Sequence, residues 1–159
     1  MPAKTRAVSV PRYENYRPRS AKTSRVGASN RRQNTTPEIL LRKALWAAGV
    51  RYRLHPPALT GRPDLVIARH RVVVFCDGDF WHGRRWSERK RKLAEGWNAP
   101  YWVAKIERNR QRDRQVARVL RSLGWTVVRV WESEVRRDPT LAASNVLGVI
   151  EATSPARRR

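Results

Sequence analysis

Acidic residues and cysteines are scarce in this chain of 159 residues. There are 13 Asp and Glu against 35 Lys and Arg, so the formal net charge is +22. A compact body with that charge repels itself unless a polyanion lies against it, so nucleic acid is the expected partner and an anionic membrane surface is the alternative. The one cysteine, Cys76, excludes an internal disulfide and a cysteine-based zinc finger.

Long apolar runs are also missing. No stretch approaches the roughly 20 apolar residues that a membrane-spanning helix needs, and the basic start of the chain contains no signal-peptide run. We therefore expect a soluble, intracellular protein. The length suits one globular domain with an appendage.

Charge divides the chain into three parts. Residues 1–34 carry nine Lys and Arg against one acid, Glu14, and show neither helical nor strand periodicity. They are expected to form a disordered arm, either a solubilising tail or a segment that orders on DNA. Residues 35–152 are the expected domain, and residues 153–159 are a short basic tail.

Helical signals appear at three places in the expected domain. Thr35, Pro37 and Glu38 supply a cap, a first-turn proline and a first-turn acid, and helical spacing of apolar residues then continues to Gly49. A long helix is predicted from Pro100 to Gly124, and a last one from 139 to about 151.

Strand signals fall between these helices. The predicted strands cover residues 52–54, 64–67, 72–75 and 125–131. The first alternates and is expected to be half-buried, whereas the third is apolar on both faces and is expected to be central. A charged loop is predicted from 77 to 99. The long helix after it acts as a crossover, which predicts a mixed sheet flanked by helices, in the order αβββαβα.

The few acids near the sheet are candidates for chemistry. Asp64 follows a Gly-Arg-Pro turn, whereas Asp77 and Asp79 stand at the far end of the apolar strand, with His82 three residues later. Carboxylates, a strand-end carbonyl and a histidine can form a magnesium site with a general base. The alternatives are a turn cap for Asp64 and a surface ring for His82. Their combination in a basic chain favours the metal site.

Two adjacent aromatic residues, Phe80 and Trp81, lie inside a polar run. One interpretation is that they anchor the loop in the core. The other is that they form a wedge that enters a base stack, with Trp102 adding aromatic surface.

Five segments of the chain resemble the very short patch repair endonucleases, which are DNA mismatch nickases. The segments are Thr36-Pro37-Glu38-Ile39-Leu40-Leu41-Arg42, Gly61-Arg62-Pro63-Asp64-Leu65-Val66, Val74-Phe75-Cys76-Asp77-Gly78-Asp79-Phe80-Trp81-His82, Lys105-Ile106-Glu107-Arg108-Asn109, and Gly124-Trp125 with Val130-Trp131-Glu132. The resemblance runs from about Ser24 to Val135. It implies the restriction-endonuclease-like (PD-(D/E)XK-type) fold, with an αβββαβ core that agrees with the order predicted above.

The resemblance also implies roles for individual residues. Asp64 and the main-chain carbonyl of Cys76 would bind the catalytic Mg²⁺, with Glu38 supporting the metal's water shell or the base. His82 would be the general base, and Asp77, which stands where the family often has His, would lie near the scissile phosphate or bind metal. The residues expected to contact DNA are Phe80, Trp81 and Trp102 as intercalating aromatics, together with Arg62, Lys105 and Asn109.

One departure from the family concerns a structural zinc that well-known members hold. The matching positions here are Asp79, Arg84, Trp86 and Ser133. The last three are not usual zinc ligands, so no structural zinc is expected.

The predicted function is therefore a Mg²⁺-dependent endonuclease that nicks one strand of duplex DNA at a T:G mispair and leaves a 5′-phosphate. The alternatives are a related nickase or restriction-type nuclease with another DNA target, and a basic DNA-binding module without catalysis. We expect a monomer that acts on mismatched double-stranded DNA, without a membrane, in the bacterial cytoplasm at the nucleoid.

Overall fold

A computed structural model describes residues 33–153. The predicted arm, except for its last two residues, and nearly all of the predicted basic tail lie outside the described residues. The helices are α1 (Thr36–Ala47), α2 (Trp86–Ala94), α3 (Ala99–Ser122), α4 (Glu132–Arg137) and α5 (Pro139–Thr153). The strands are β1 (Arg53–Leu54), β2 (Leu65–Ile67), β3 (Val72–Asp77) and β4 (Thr126–Trp131). No helix among these is long and apolar enough to cross a membrane.

The four strands form one mixed sheet in the order β1-β2-β3-β4. β1 and β2, and β2 and β3, pair antiparallel, whereas β3 and β4 pair parallel through the crossover helix α3. The mixed sheet flanked by helices and the central place of β3 are thus confirmed. Val72, Val73 and Val74 have no exposed surface, as expected for a strand covered on both faces.

Alternate residues of β3 face opposite sides of the sheet. Val72 and Val74 pack in the larger core cluster with residues of α1, α4 and α5, and Cys76 packs against that cluster. Val73 and Phe75 pack in a second cluster with Leu120 of α3. The last residue, Asp77, therefore follows the α3 side.

The predicted alternation of the first strand is wrong. Only Arg53 and Leu54 are in strand conformation, and both are exposed, Leu54 by 45%. The next residue, His55, has a positive φ of 41°, which is outside the strand region, so the strand ends at Leu54. Tyr52 instead packs against the larger cluster, and its hydroxyl donates to the Arg42 carbonyl over 3.1 Å.

Two helices were not predicted. α2 lies inside the predicted charged loop, and it has no buried residue, so it has no apolar periodicity that the sequence could show. Ion pairs from Lys92 to Glu88 and from Lys90 to Glu107 support it instead. α4 is only six residues long and follows β4 directly, with Val135 buried at its centre.

The turn before Asp64 lies close to α3. Gly61 has a φ of +79°, and a Cβ placed there would come within 2.3 Å of a Val116 methyl carbon. Only glycine fits both the backbone conformation and the space. This contact fixes the Gly-Arg-Pro turn against the crossover helix and thereby positions the start of β2.

Candidate active site

Polar residues form two neighbouring clusters around the end of β3. The carboxylate cluster consists of Glu38, His55 and Asp64, whose potential ligand atoms all lie within 4.8 Å of one another. The histidine cluster consists of Asp77, His82, Asp113 and Arg129. Cys76 and Asp77 join the two clusters, because they are consecutive residues of β3 with opposite faces.

Glu38 is fixed by the first turn of α1. Its side chain accepts hydrogen bonds from the Thr35 hydroxyl over 3.0 Å and from the Asn34 backbone N–H over 2.8 Å, while its own N–H reaches the Thr35 hydroxyl. This is a capping-box arrangement, and it also leaves the carboxylate within 3.0 Å of the Arg42 guanidinium. With an exposed fraction of 4%, Glu38 is a buried charge that the helix start and Arg42 hold in place.

His55 completes the carboxylate cluster. Its Nε2 lies 2.9 Å from Arg42 Nη2, and because a guanidinium only donates, Nε2 accepts and Nδ1 carries the proton. Nδ1 faces Asp64 Oδ1 at 3.7 Å. Burial lowers the pKa of His55, and the charge of Arg42 acts in the same direction against the raising effect of Glu38. His55 is therefore neutral at neutral pH.

Asp64 stands directly before β2, and its backbone N–H donates to the Val74 carbonyl across the sheet over 3.0 Å. Its Oδ2 accepts a hydrogen bond of 2.7 Å from the Cys76 N–H. Burial raises the pKa of Asp64 to about 7, and the charges of Glu38 and Asp77 add to this effect, although the hydrogen bond from Cys76 opposes it. An anion that is so poorly solvated favours the approach of a cation.

The carboxylate cluster fits a divalent cation. Glu38 and Asp64 supply hard oxygen ligands. Neither ring nitrogen of His55 is free to bind a metal ion in this arrangement, because Nε2 accepts from Arg42 and Nδ1 carries the proton. The Cys76 thiol does not contribute, because burial raises its pKa and keeps it protonated. The assignment of the Cys76 main-chain carbonyl as a ligand stays a prediction.

The histidine cluster is a closed set of ion pairs. His82 Nδ1 lies 2.6 Å from Asp113 Oδ2 and 3.7 Å from Asp77 Oδ1. Arg129 reaches Asp77 Oδ2 over 2.5 Å and Asp113 Oδ1 over 3.4 Å. Burial lowers the pKa of His82, but the hydrogen bond to Asp113 and the charge of Asp77 outweigh it, so the pKa is above its usual value.

Asp77 was predicted to lie near the phosphate or to bind metal. The structure places it with His82 and Arg129, outside the group that could hold a metal ion in the described part of the chain. It is only 3% exposed, and one of its oxygens is taken by the Arg129 guanidinium. This geometry favours a role beside the histidine.

The predicted DNA-contacting aromatics form a single cluster. Phe80 lies 5.1 Å from Trp81 and 5.6 Å from Trp102 between ring centroids, and the two tryptophans are 6.0 Å apart. The Lys105 ammonium lies 5.2 Å from the Trp81 ring, and the Asn109 amide donates to the Trp81 carbonyl over 3.0 Å. Five of the six predicted DNA contacts are thus brought together, and all are half-buried.

Arg62, the sixth predicted DNA contact, is exposed in the turn before Asp64 and makes none of these contacts. Its φ of 49° is set by the turn, and its N–H donates to the Leu59 carbonyl over 3.1 Å.

A hydrogen-bond network joins three of the four positions that match zinc ligands in the resembling family. Arg84 donates to Asp79 over 3.4 Å, to the Ser133 hydroxyl, and to Glu134 over 2.8 Å. The Ser133 N–H donates to Asp79 over 3.3 Å. A guanidinium therefore connects the loop after β3 to the start of α4.

The sequence interpretation missed four residues of the site: Arg42, His55, Asp113 and Arg129. Asp113 had a detectable signal, because it lies one helical turn after Asn109 on α3, and these two residues bind the consecutive residues Trp81 and His82. Arg42 also had one, because it stands four residues after Glu38 on the predicted helix. His55 and Arg129 had none: His55 depends on a left-handed backbone, and the partner of Arg129 in β3, Asp77, is 52 residues away.

A central strand that ends between a carboxylate cluster and a histidine–aspartate pair, in this mixed sheet, defines a class of protein: DNA endonucleases with the restriction-endonuclease-like fold. The family model described as DNA mismatch endonuclease Vsr matches residues 17–88. The chain belongs to this Vsr family, and it is a DNA endonuclease.

Similar proteins include type II nicking enzymes and a DNA mismatch endonuclease. The chain is 42% identical over 118 residues to the type II nicking enzyme V.NmeDIP of Neisseria meningitidis serogroup C, covering 74% of this chain and 78% of the relative. It is 42% identical to the type II nicking enzyme V.HpaIIP of Haemophilus parainfluenzae, covering 70% and 78%. It is 35% identical to the DNA mismatch endonuclease Vsr of Escherichia coli K12, covering 65% of each chain.

Proposed function

We propose that this endonuclease nicks one strand of duplex DNA at a T:G mispair, acting as a monomer and with Mg²⁺ in the carboxylate cluster. The observation that carries the proposal is the position of His82. It follows β3, which borders the carboxylate cluster, and it directly follows Trp81 of the aromatic cluster. Asn109 binds the backbone carbonyl of Trp81, the residue before His82, and Asp113 binds the His82 ring. Insertion of Trp81 into the DNA and positioning of His82 as the general base are therefore coupled, because the two residues are consecutive.

Glu38 and Asp64 would hold the cation, with the Cys76 carbonyl as a further ligand. When bound, Mg²⁺ supplies charge neutralisation at the scissile phosphate and lowers the pKa of a water molecule. Arg42 orients Glu38 through its contact of 3.0 Å, and the protonated Nδ1 of His55 faces Asp64 at 3.7 Å.

His82 would act as the general base. Asp113 accepts the hydrogen bond from Nδ1, so the lone pair of Nε2 is available to take a proton from the attacking water. The water oxygen forms a new bond to phosphorus as the bond from phosphorus to the 3′ oxygen breaks. The products are a 5′-phosphate and a 3′-hydroxyl, whose oxygen takes its proton from solvent. Arg129 holds Asp77 and Asp113 beside the histidine through contacts of 2.5 and 3.4 Å.

The aromatic cluster would recognise the mispair. Unstacking a base step costs a few kcal/mol and costs less where pairing is weak, as in a T:G wobble. Phe80, Trp81 and Trp102 present a half-buried set of rings with the Lys105 ammonium against them. That combination suits a wedge next to a phosphate.

A second candidate is a nickase with another DNA target. It is favoured by the names of the two more similar relatives, which are type II nicking enzymes. Under this alternative the two clusters keep their chemistry, and the aromatic cluster reads a different distortion or sequence.

The test is a cleavage panel on duplexes of one sequence that carry a central T:G pair, each of the other mispairs, or a matched pair, with each strand labelled in turn. We expect one labelled strand to be cut at T:G in Mg²⁺ and no cutting in EDTA. Cutting of matched duplex at a fixed sequence would support the second candidate. Retardation of the duplex without cutting would support a non-catalytic binding module.

Asp64→Ala supplies the matched control. It should abolish cutting while duplex binding stays nearly intact, because binding depends mainly on contacts between cationic side chains and phosphates. Appreciable cutting by this variant in Mg²⁺ would remove Asp64 from the metal site.

A further inference from the structure

A basic groove extends from the histidine cluster along the edge of the sheet. It lies between α3 and the edge strand β4 and has a volume of about 610 Å³. Asp77, His82, Asp113 and Arg129 line one part of it. The remainder is lined on the α3 side by four arginines, which we call the arginine row: Arg110, Arg114, Arg118 and Arg121.

The spacing of the arginine row places it on one face of α3. At 100° per residue the four positions lie within about 80° of one another around the helix axis, and from first to last they span about 16 Å. Neighbouring members are three or four residues apart, so each guanidinium can meet a different phosphate of one DNA strand.

The described carboxylates next to the arginine row are paired with cations outside it. The two carboxylates of the groove are already taken, Asp77 by Arg129 and Asp113 by both His82 and Arg129. None of the four arginines forms an ion pair within residues 33–153, and Arg118 donates only to the neutral Gln115. Burial and the charge of Arg114 lower the pKa of Arg110, although the charges of Glu107 and Asp113 oppose this effect.

We propose that the arginine row binds successive backbone phosphates of the substrate duplex on one side of the scissile phosphate. This rests on the proposed function, since it takes His82 as the point where the cut strand enters the groove. The enzyme then holds the cut strand over several nucleotides along α3, in addition to the aromatic cluster that reads the mispair. These contacts are to phosphates and carry no sequence information of their own.

A solvated helix face is the simplest alternative. It predicts that removing the charges changes binding no more than removing the same number of arginines elsewhere. An acidic protein partner is the other alternative, and it predicts no loss of DNA binding at all.

The test compares two triple variants of equal charge. Arg114→Gln, Arg118→Gln and Arg121→Gln remove three exposed members of the row, whereas Arg53→Gln, Arg69→Gln and Arg137→Gln remove three exposed arginines on other parts of the molecule. Arg110 is kept because its side chain packs near Gly83 and Trp86. Thermal unfolding of both variants should match wild type, because exposed side chains are changed.

Affinity for a duplex is measured in EDTA at several salt concentrations. Each lost phosphate contact should reduce the slope of log K against log salt by about 0.9. We expect the row variant to lose a slope of about 2–3, and the control variant to keep nearly the wild-type slope. Equal slopes in the two variants would overturn the proposal.

The second measurement shortens the duplex by about six base pairs on either side of the target. Wild-type affinity should fall for shortening on one of the two sides, and the row variant should be insensitive to shortening on that side. If both proteins lose the same affinity on both sides, the row does not follow the flanking duplex. The salt slopes are measured by binding alone, so they test the row whether or not the chain cuts a T:G mispair.

Discussion

His82 and Asp113 are joined by a hydrogen bond of 2.6 Å between Nδ1 and Oδ2, although 31 residues separate them in the sequence. A carboxylate only accepts, so the proton of the neutral imidazole is on Nδ1 and the lone pair is on Nε2. The hydrogen bond to His82 lowers the pKa of Asp113 against the raising effect of burial, so this carboxylate stays ionised. One residue of α3 therefore sets both the protonation state and the orientation of the candidate base.

Replacement of that partner tests this relationship. Asp113→Asn should lower the single-turnover rate on the order of 10²-fold, the lower end for a positioned general base. Because Asp113 raises the pKa of His82, the acid limb of the pH–rate profile should move to lower pH. Asp138→Asn is the control, since Asp138 is an exposed cap of α5. An unchanged rate and profile would mean that Asp113 does not act through His82.

Asp64 should make the metal-free protein less stable as pH rises. Its pKa of about 7 in the folded protein exceeds the usual 3.8, so its proton is bound more tightly in the folded state. The contribution of Asp64 to the free energy of unfolding should be fully present below about pH 4, and it should be lost, by a few kcal/mol, as pH rises through 7.

Asp64→Asn, which stays neutral, isolates this effect from all other titrations. The difference in unfolding free energy between variant and wild type, measured in urea at several pH values, should grow in favour of the variant towards pH 7. Mg²⁺ should restore stability to wild type alone. A constant difference across pH would contradict the raised pKa.

The aromatic cluster offers a separate test of mispair recognition. Trp81→Ala should lower the cleavage of T:G duplex far more than the binding of matched duplex, because the free energy of unstacking is lower at a mispair than at a matched pair. Trp97→Ala is the matched control, since Trp97 is 68% exposed and lies outside the cluster. If Trp81→Ala keeps its preference for the mispair, the wedge is wrong, and a loss of thermal stability would indicate that Trp81 anchors the loop.

The Arg84 network should hold the loop after β3 without a metal ion. Arg84→Gln removes the pairs with Asp79 and Glu134 and should destabilise this loop by about 1 kcal/mol, with Arg85→Gln as the exposed neighbouring control. Limited proteolysis between β3 and α2 reads the loop directly. Elemental analysis should find no stoichiometric zinc, and about one zinc per chain would contradict the prediction.

The sequence predicted the elements that packing and capping determine locally. The first helix depends on Thr35 and Glu38, and the central strand depends on an unbroken apolar run, so both could be predicted from neighbouring residues. The charged helix α2 could not, because its support comes from ion pairs rather than from an apolar face.

The candidate site divides in the same way. Asp64 and His82 stand in short motifs that the sequence displays, whereas Asp113 and His55 join them only through tertiary contacts. His55, directly after β1, reaches Asp64 through its own left-handed backbone, and Asp113 reaches His82 because the crossover returns α3 over the sheet. Such contacts depend on the topology of the whole fold, which local sequence patterns do not specify.

The opposite faces of Cys76 and Asp77 make the chain intolerant of length changes at one place. Side chains of a strand alternate, so deletion of a single residue from Val72–Phe75 would exchange the environments of every later position in β3. Asp77 would then point into the apolar layer beneath α1 and α5, and the residue taking its place would face His82 without a charge. Natural variation in length among relatives should therefore fall in the turns at 56–60 and 95–98 and never within this strand.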